Sequence, residues 1–221
     1  MSPLPQRLRS IVPERVRDDV RLRGLAVGAG LIPPRTMHSE PERELLRRLA
    51  SDARVVVEIG VYEGSSAVAL ARVMRRGQDL HLIDPFGAHA TALPAGWGAT
   101  ERASRRVVAR AAGRGGPDVH WHIALSHDVA PGWIAPIDLL FIDGDHAEDA
   151  VARDWTDWHG FVVPGGYVLF HDSRGGKPAG RGLPGPTTVV DRLFRGGGGA
   201  SPGWKIVAEV DRTVGVRRIR I

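Results

Sequence analysis

The stretch Val55–Ser66, which reads VVVEIGVYEGSS, decides the fold. Its first five residues, Val55–Ile59, are apolar and β-branched apart from one glutamate, and they predict a short buried strand of a parallel sheet. Gly60 and Gly64 follow, and a helical pattern of small and apolar residues then continues to Arg75. A strand that ends in a glycine turn and leads into a helix presents free backbone N–H groups to a ligand.

The rest of the chain repeats this alternation of strand and helix. A helix is predicted over residues 14–25, and another begins near Ser39, which has capping-box spacing to Glu42. Further strands are predicted at 80–84, 119–123, 137–143 and 167–172, further helices at 100–112, 148–158 and 187–194, and a closing hairpin at 205–210 and 213–219. The pattern predicts one doubly wound α/β domain, whose mostly parallel seven-stranded sheet ends in an antiparallel hairpin.

The composition is that of an ordinary globular protein, with 43% hydrophobic and 25% charged residues among 221. The chain has no cysteine, which excludes disulfide bonds, cysteine-ligated zinc and thiol nucleophiles. The sequence shows neither a signal peptide nor an apolar run of the roughly 20 residues that a membrane span needs, so a cytoplasmic location is expected by default. The net charge is +5, but the arginines are scattered, so nucleic acid is not the expected partner.

Glu58 and Asp84 distinguish among the ligands that the glycine turn could bind. The turn has neither the Gly-x-Gly-x-x-Gly spacing of dinucleotide sites nor the lysine of a phosphate-binding loop. Glu58 would repel a pyrophosphate and suits a cationic amino-acid moiety. Asp84 ends the next strand, where a carboxylate can accept hydrogen bonds from both ribose hydroxyls. The alternative is that Asp84 is an exposed turn residue before Pro85.

Four motifs carry a family resemblance: VVEIGVYEGSS at 56–66, LIDPFG at 82–87, LLFIDGDHAEDAVARDW at 139–155 and VPGGYVLFHD at 163–172. Through them the chain resembles class I S-adenosylmethionine-dependent methyltransferases. The closer resemblance is to the small-molecule O-methyltransferase group that includes macrolide-sugar methyltransferases and cephalosporin-hydroxylase-like proteins. The resemblance implies a Rossmann-like methyltransferase domain, S-adenosylmethionine as cofactor, and a small hydroxylated acceptor such as a sugar or phenolic natural product.

The resemblance also implies the cofactor contacts. The turn would surround the methionine part through Glu58, Gly60, Tyr62, Gly64, Ser65 and Ser66. Asp84 would hold the ribose, Asp143 would contact the cofactor, and the adenine would lie near Pro85, Phe86 and Ser126. The chain departs from the family at Leu125, where many members have an acid.

Acidic and imidazole side chains follow two later strands, in Asp143-Gly144-Asp145-His146 and in His171-Asp172. Because parallel strands bring their carboxyl ends to one edge, we expect Asp143 and Asp172 to lie close together. Two adjacent carboxylates repel each other unless a cation lies between them or one is protonated. Asp143, His171 and Asp172 are therefore the predicted ligands of a divalent metal, Mg²⁺ or Mn²⁺. His171 stands where the resembled enzymes have an acid. The site could therefore bind Fe²⁺ or Zn²⁺ instead, or no metal, in which case His171 would be structural.

His146 is the predicted catalytic base, acting with Asp143 and Asp172. Related enzymes have a lysine or histidine at this place, and an imidazole titrates near neutral pH. In the alternative interpretation, Asp145 and His146 cap the helix that follows.

Other polar and aromatic residues receive structural roles. Asp154 is expected to face solvent or to be structural. Trp155 and Trp158 are expected to belong to the core or to a lid, and not to a ligand-binding surface. His120 and His122 share one strand face, but two histidines without a nearby acid make a poor metal site. No functional role is expected for these two or for His38, His81, His89, His127 and His159.

Residues 1–38 are expected to form an N-terminal helical segment that shapes or covers the substrate pocket, and 39–221 the methyltransferase domain. Residues 87–100 could act as a lid, and a homodimer could form through the N-terminal segment. One alternative is a nucleic-acid or protein methyltransferase, although no Asn-Pro-Pro-Tyr-like segment follows the fourth strand. Another is a non-catalytic S-adenosylmethionine-binding protein.

Overall fold

A computed structural model describes residues 19–87, 98–174, 182–196 and 201–219. The helices are α1 (Val20–Ala29), α2 (Glu40–Ser51), α3 (Ser65–Val73), α4 (Gly98–Ala112), α5 (Ser126–Val129), α6 (Glu148–Trp158) and α7 (Pro184–Val190). The strands are β1 (Val55–Ile59), β2 (Asp79–Ile83), β3 (Asp118–His122), β4 (Ile137–Ile142), β5 (Val162–Phe170), β6 (Trp204–Val210) and β7 (Thr213–Arg218). Short 3₁₀ turns follow α5 and α6, and a π-helical turn follows α7.

The seven strands form one sheet in the order β3-β2-β1-β4-β5-β7-β6. Strands β3, β2, β1, β4 and β5 run parallel to one another, and β7 runs antiparallel to both β5 and β6. The predicted fold class is confirmed, including the closing hairpin. Strand β1 lies between β2 and β4, where the strand order reverses, and ligands of open α/β sheets bind at such a switch point.

Helices cover both faces of the sheet, which explains the continuous burial of β1. On one face, Leu45 and Leu46 of α2 and Leu70 of α3 pack in one apolar cluster with Val56 and Leu139. The other face forms a second cluster that contains Val57, Leu140, Val189 of α7 and both Trp155 and Trp158 of α6. The prediction that the two tryptophans belong to the core is confirmed, since they are 5% and 0% exposed.

Several element boundaries differ from the sequence prediction, and two of the differences have a visible cause. Helix α1 continues past Leu25 to Ala29, because Gly28 packs against α4 instead of ending the helix. A Cβ atom at Gly28 would lie 3.4 Å from the Cα of Ala103. Strand β5 begins at Val162, earlier than predicted, because Val162 pairs with Ile137 before an irregularity in the ladder. Residues 14–18 and most of the suggested lid lie outside the described residues. Among the described helices, none combines the length and apolarity that a membrane crossing requires.

Candidate active site

The carboxyl ends of β1, β2 and β5 each carry a non-glycine residue in the left-handed region of backbone space. These residues are Tyr62 (φ 51°), Phe86 (φ 44°) and Asp172 (φ 51°). Such conformations are costly and cluster at functional sites, where surrounding contacts hold them in place. All three lie at the edge where the sequence predicts the site.

Gly60 is required by the close approach of two chain segments. Its φ is +89°, and a Cβ atom there would lie 2.1 Å from the backbone oxygen of Asp143. The N–H of Asp143 donates to the carbonyl of Ile59 at 2.9 Å, so the segments after β1 and β4 are joined directly. The glycine turn and Asp143 therefore form one continuous site wall.

Glu58 lies wholly inside the protein, with its side chain directed to the N-terminal turn of α3. Glu58 is 0% exposed, and its Oε1 accepts a hydrogen bond from the Ser66 hydroxyl. Oε2 is buried and has no hydrogen-bond partner among the described residues. Burial raises the pKa of Glu58 well above its usual range, although the Ser66 hydrogen bond acts in the opposite direction.

Asp84 organises the backbone of the glycine turn. Its Oδ2 accepts the N–H groups of Val61 and Tyr62, each at 2.8 Å, and its Oδ1 accepts the N–H of Phe86 at 2.7 Å. The residue is 8% exposed, so it is not the exposed turn aspartate of the alternative interpretation. A carboxylate offers about four acceptor positions, so Oδ1 retains one for a further donor such as a hydroxyl group.

The residues predicted near the adenine form two separate contacts. Phe86 is buried, with its ring 6.2 Å from that of Trp121, and it follows the half-buried Pro85. Ser126 begins α5 and donates its hydroxyl to Asp154 of α6. Asp154 is 5% exposed, which contradicts the expectation that it faces solvent. Burial raises the pKa of Asp154 to about 6, against the opposing effect of the Ser126 hydrogen bond.

Asp143 lies between two histidines. Its Oδ1 is 2.8 Å from Nδ1 of His171, and its Oδ2 is 3.0 Å from Nε2 of His38. Burial alone would raise the pKa of Asp143, but hydrogen bonds with both imidazoles outweigh it and hold the pKa well below its usual range. The sequence suggests no functional role for His38, but the structure places it at this site. No local pattern links residues 38 and 143, because only the tertiary fold brings the segment before α2 beside the end of β4.

Asp172 is the second carboxylate of this edge, as the sequence predicts. Nδ1 of His171 lies 3.5 Å from Oδ2 of Asp172, so one imidazole adjoins both carboxylates. His146 Nε2 lies 3.4 Å from the same Oδ2, and Arg212 extends from the β6–β7 turn to within 3.0 Å of Oδ1. The contact with Asp172 raises the pKa of His146, whose side chain is 41% exposed. His146 is thus the accessible imidazole of the group.

The structure supports only part of the interpretation that Asp145 and His146 cap helix α6. The N-cap position of α6 is Ala147, and its side chain makes no cap. Asp145 does accept the N–H of Ala147 at 2.9 Å, so it shapes the turn before the helix. His146 has its contacts with Asp172 and Asp143 instead.

Two overlapping groups of side chains at this edge could hold a metal ion. His38, Asp143 and His171 form one, and His146, His171 and Asp172 form the other. In each group, one possible ligand atom per residue lies within 4.8 Å of the others. The donor set of imidazole and carboxylate fits Mn²⁺, Fe²⁺ or Zn²⁺, which accept mixed nitrogen and oxygen ligands, better than Mg²⁺, which prefers oxygen ligands.

The N-terminal segment is fixed across this edge. Arg23 of α1 forms a two-pronged ion pair with the buried carboxylate of Glu63, at 2.5 and 2.8 Å. The hydroxyls of Thr36 and Ser65 lie 3.1 Å apart, and Arg212 donates to the carbonyl of Met37. Residues 19–38 therefore lie over the glycine turn, beside the acidic cluster.

A family model described as "Methyltransferase domain" matches residues 57–173, which is just over half of the chain. Among curated proteins, the uncharacterized protein R132 of Acanthamoeba polyphaga mimivirus is 33% identical over 60 residues. This match covers only 27% of the chain and 27% of the relative.

Solved structures share the fold at low sequence identity. An O-methyltransferase from Bacillus cereus, in complex with SAH, is 18% identical over 96% of this chain and 94% of its own, with a TM-score of 0.58. TomG from Streptomyces achromogenes, in complex with SAM, is 18% identical over 97% and 95%, with a TM-score of 0.58. Cofactor-bound Rv0187 from MTB is 20% identical over 100% of both chains, with a TM-score of 0.62.

Proposed function

Because the chain belongs to the family defined by this methyltransferase domain, we propose that it transfers a methyl group from S-adenosylmethionine to a hydroxyl group of a small molecule. The observation that carries the proposal is the junction at Gly60. The turn suited to the cofactor touches the segment that bears Asp143 and His146. Cofactor and acceptor groups would thus meet at one point, as a direct displacement requires.

The cofactor turn fits S-adenosylmethionine. Glu58 offers a buried oxygen without a hydrogen-bond partner. Burial favours its neutral form, but a cationic amino group of the methionine part beside it would favour the carboxylate and so form an ionic contact. The N-terminal turn of α3, with Ser65 and Ser66, offers donors to its carboxylate. Asp84 retains an acceptor position for a ribose hydroxyl. The bound cofactor supplies an electrophilic methyl group, and the protein aligns the acceptor oxygen with it.

His146 is the proposed base for the acceptor hydroxyl. Its side chain is 41% exposed, and its Nε2 lies beside Asp172, which would stabilise the imidazolium that forms when the proton arrives. His38 and His171 are more deeply buried and are engaged with Asp143, so they serve to position that carboxylate. Arg212 holds the opposite side of Asp172.

We also propose that a divalent ion assists at Asp143, His171 and Asp172, with His38 as a further ligand. The ion would lower the pKa of an acceptor hydroxyl bound beside His146. Dialysis against a chelator should then reduce turnover, and Mn²⁺ or Zn²⁺ should restore it better than Mg²⁺. Turnover that is unchanged after removal of all metal would contradict this part of the proposal alone.

The scattered arginines of the chain favour a small molecule over nucleic acid, because they form no long basic run. RNA binding that weakens steeply with salt would instead support the nucleic-acid alternative.

Calorimetry with S-adenosylhomocysteine tests the cofactor site. We expect the wild type to bind and Glu58→Gln to bind at least roughly tenfold more weakly, through loss of an ionic contact. The control is Asp128→Asn, an exposed carboxylate in α5 that has no place in the proposed site. Both variants should retain the circular dichroism spectrum of the wild type. Failure of the wild type to bind millimolar S-adenosylhomocysteine would refute the function.

Turnover of S-adenosylmethionine with a panel of sugars and phenols tests the acceptor class. His146→Ala should lower kcat by roughly 10²- to 10⁴-fold, the usual contribution of a general base, without changing S-adenosylhomocysteine affinity. Since Asp172 raises the pKa of His146, the wild-type rate should increase with pH until that imidazole is neutral. Full activity in His146→Ala would assign the base elsewhere and leave the cofactor site standing.

A further inference from the structure

A second group of imidazoles lies away from the candidate active site, on the exposed face of β2 and β3. In the parallel register of these strands, His81 stands opposite His120, and Asp79 and His122 share the same face because side chains alternate. The side chains of Asp79 and His120 are 39% and 45% exposed. Asp79 is the first residue of β2, whereas the candidate active site lies beyond its last residue.

The structure adds an acid to this pair of histidines. By sequence alone, His120 and His122 make a poor metal site, because no acid is predicted to lie beside them. Strand pairing adds His81 and Asp79 from β2. Oδ1 of Asp79 lies 2.9 Å from Nε2 of His120, and one possible ligand atom from each of Asp79, His81 and His120 lies within 4.8 Å of the others.

We propose that Asp79, His81 and His120 bind a zinc ion on this face, with water completing a tetrahedron. Tetrahedral ligand atoms about 2.1 Å from Zn²⁺ lie about 3.4 Å apart. The rings of His81 and His120 are stacked, with centroids 4.4 Å apart, so the exposed His120 would have to rotate away from this stack to direct its nitrogen at the ion. Two imidazoles and one carboxylate are a donor set that Zn²⁺ accepts readily.

His122 and Trp133 support this arrangement from one side. Nε2 of His122 lies 3.1 Å from Nδ1 of His81, which leaves Nε2 of His81 as the nitrogen that we assign to the ion. Such a contact to the second nitrogen fixes the tautomer and orientation of a metal-binding histidine. The Trp133 ring packs edge-on against His81, with centroids 4.6 Å apart, and limits its rotation.

The ion would join β3, at the edge of the sheet, to β2. An ion that binds only the folded state raises its stability by mass action. The site is therefore structural, and methyl transfer does not depend on it.

The test is a Zn²⁺ titration of the tag-free full chain by calorimetry, with thermal unfolding followed in parallel. His120→Ala and Asp79→Asn should each lower the Zn²⁺ affinity of one site at least tenfold. Each should also abolish the increase in Tm that Zn²⁺ binding to this site causes. His127→Ala, a change of a histidine outside the group, should behave like the wild type. All variants should bind S-adenosylhomocysteine normally, because the altered residues lie outside the proposed cofactor site.

His171→Ala separates this site from the candidate active site, which could also take Zn²⁺. The proposal requires that His171→Ala retain the site that His120→Ala loses. NMR of the imidazole nitrogens in the wild type should show Zn²⁺-dependent shifts at His81 and His120. Zn²⁺ affinity that is unchanged in the double variant Asp79→Asn/His120→Ala, or Zn²⁺ binding that disappears entirely in His171→Ala, would overturn the proposal.

Discussion

Asp154 carries a buried carboxyl group, and no local sequence pattern predicts its burial. It lies on α6 beneath the segment after β4, and the Cβ position of Gly144 is 3.9 Å from its Oδ2. Its protein hydrogen bond comes from Ser126, so this one contact links α6 to the start of α5. With a single hydroxyl donor and little water, the charged form of Asp154 is disfavoured.

Asp154→Asn should therefore stabilise the protein at pH 7.5. Burial raises the pKa of Asp154 to about 6 in the folded protein, against an ordinary value of 3.8. The folded state then binds more protons than the unfolded state between these values, so the contribution of Asp154 to stability decreases as pH rises from about 4 to about 6. The gain from Asp154→Asn should be at most about 3 kcal/mol above pH 6 and should vanish near pH 4.

Chemical denaturation of both proteins at pH 4, 5, 6 and 7.5 measures this difference. The matched control is Asp149→Asn, an exposed carboxylate on the same helix, which should show little pH-dependent difference from the wild type. If the change in the free energy of unfolding caused by Asp154→Asn does not vary with pH, burial does not raise the pKa of Asp154.

At the scale of single residues, sequence reasoning located the acidic edge and missed its partners. Asp143, His146, His171 and Asp172 all follow strands, and strand ends are visible in a chain of alternating elements. His38 and Arg212 were not foreseen, because they come from segments 105 and 40 residues away from the carboxylates that they contact. Such contacts depend on packing, which local patterns do not encode.

At the scale of elements, helix α1 is joined to the glycine turn by a charged contact. Its exposed face carries Leu22 and Leu25, and it packs on α4 through glycines. The ion pair of Arg23 with Glu63 joins it to the glycine turn, and the N–H of Arg35 donates to the same carboxylate at 2.5 Å. Loss of Arg23 would leave the buried carboxylate of Glu63 without its ion-pair partner, although the N–H of Arg35 would still donate to it.

Arg23→Ala should loosen α1 without unfolding the sheet. The expected cost is roughly 2 kcal/mol, the range for removing one partner of a buried charged hydrogen bond. Amide hydrogen exchange of residues 20–29 should accelerate at least about tenfold, while exchange in β1 and β4 stays unchanged. Arg21→Ala, an exposed change on the same helix, should leave exchange as in the wild type. Equal acceleration in the two variants would argue against the role of the Glu63 ion pair.

Elements with continuous patterns were predicted closely, and those interrupted by glycine or proline were not. The β-branched residues of β1 and the capping box of α2 gave correct boundaries, and the structure shows that box between Ser39 and Glu42. Pro164, Gly165 and Gly166 obscured the start of β5, which is nevertheless paired from Val162. A glycine that packs a helix and a glycine that ends one look alike in sequence.

At the scale of the whole molecule, Glu42 joins the N-terminal half to the closing hairpin. The side chain is buried and accepts three hydrogen bonds: from the N–H of Ser39 at 2.8 Å, the N–H of Arg212 at 3.0 Å and the hydroxyl of Thr213 at 2.9 Å. Ser39 also donates to Asp211 in the same turn. The start of α2 and the β6–β7 turn are thereby held together.

Glu42→Ala should destabilise the protein by about 3 kcal/mol, since three hydrogen-bonded groups lose their acceptor in a buried place. The loss should appear in global denaturant unfolding, because the contact spans the fold. Glu44→Ala, an exposed change two residues away, should cost no more than about 0.5 kcal/mol. A loss in Glu42→Ala no larger than that in Glu44→Ala would mean that the two ends of the fold are joined elsewhere.

The position of Arg212 has a consequence for synthesis on the ribosome. The five parallel strands emerge in the first part of translation, and Asp143 and Asp172 emerge with them. Arg212 contacts Asp172 and donates to the carbonyl of Met37. It is translated after the five parallel strands and after both carboxylates. A nascent chain can therefore build most of its sheet while this pocket is still open. Only when the hairpin leaves the exit tunnel do the charges of the pocket come into balance.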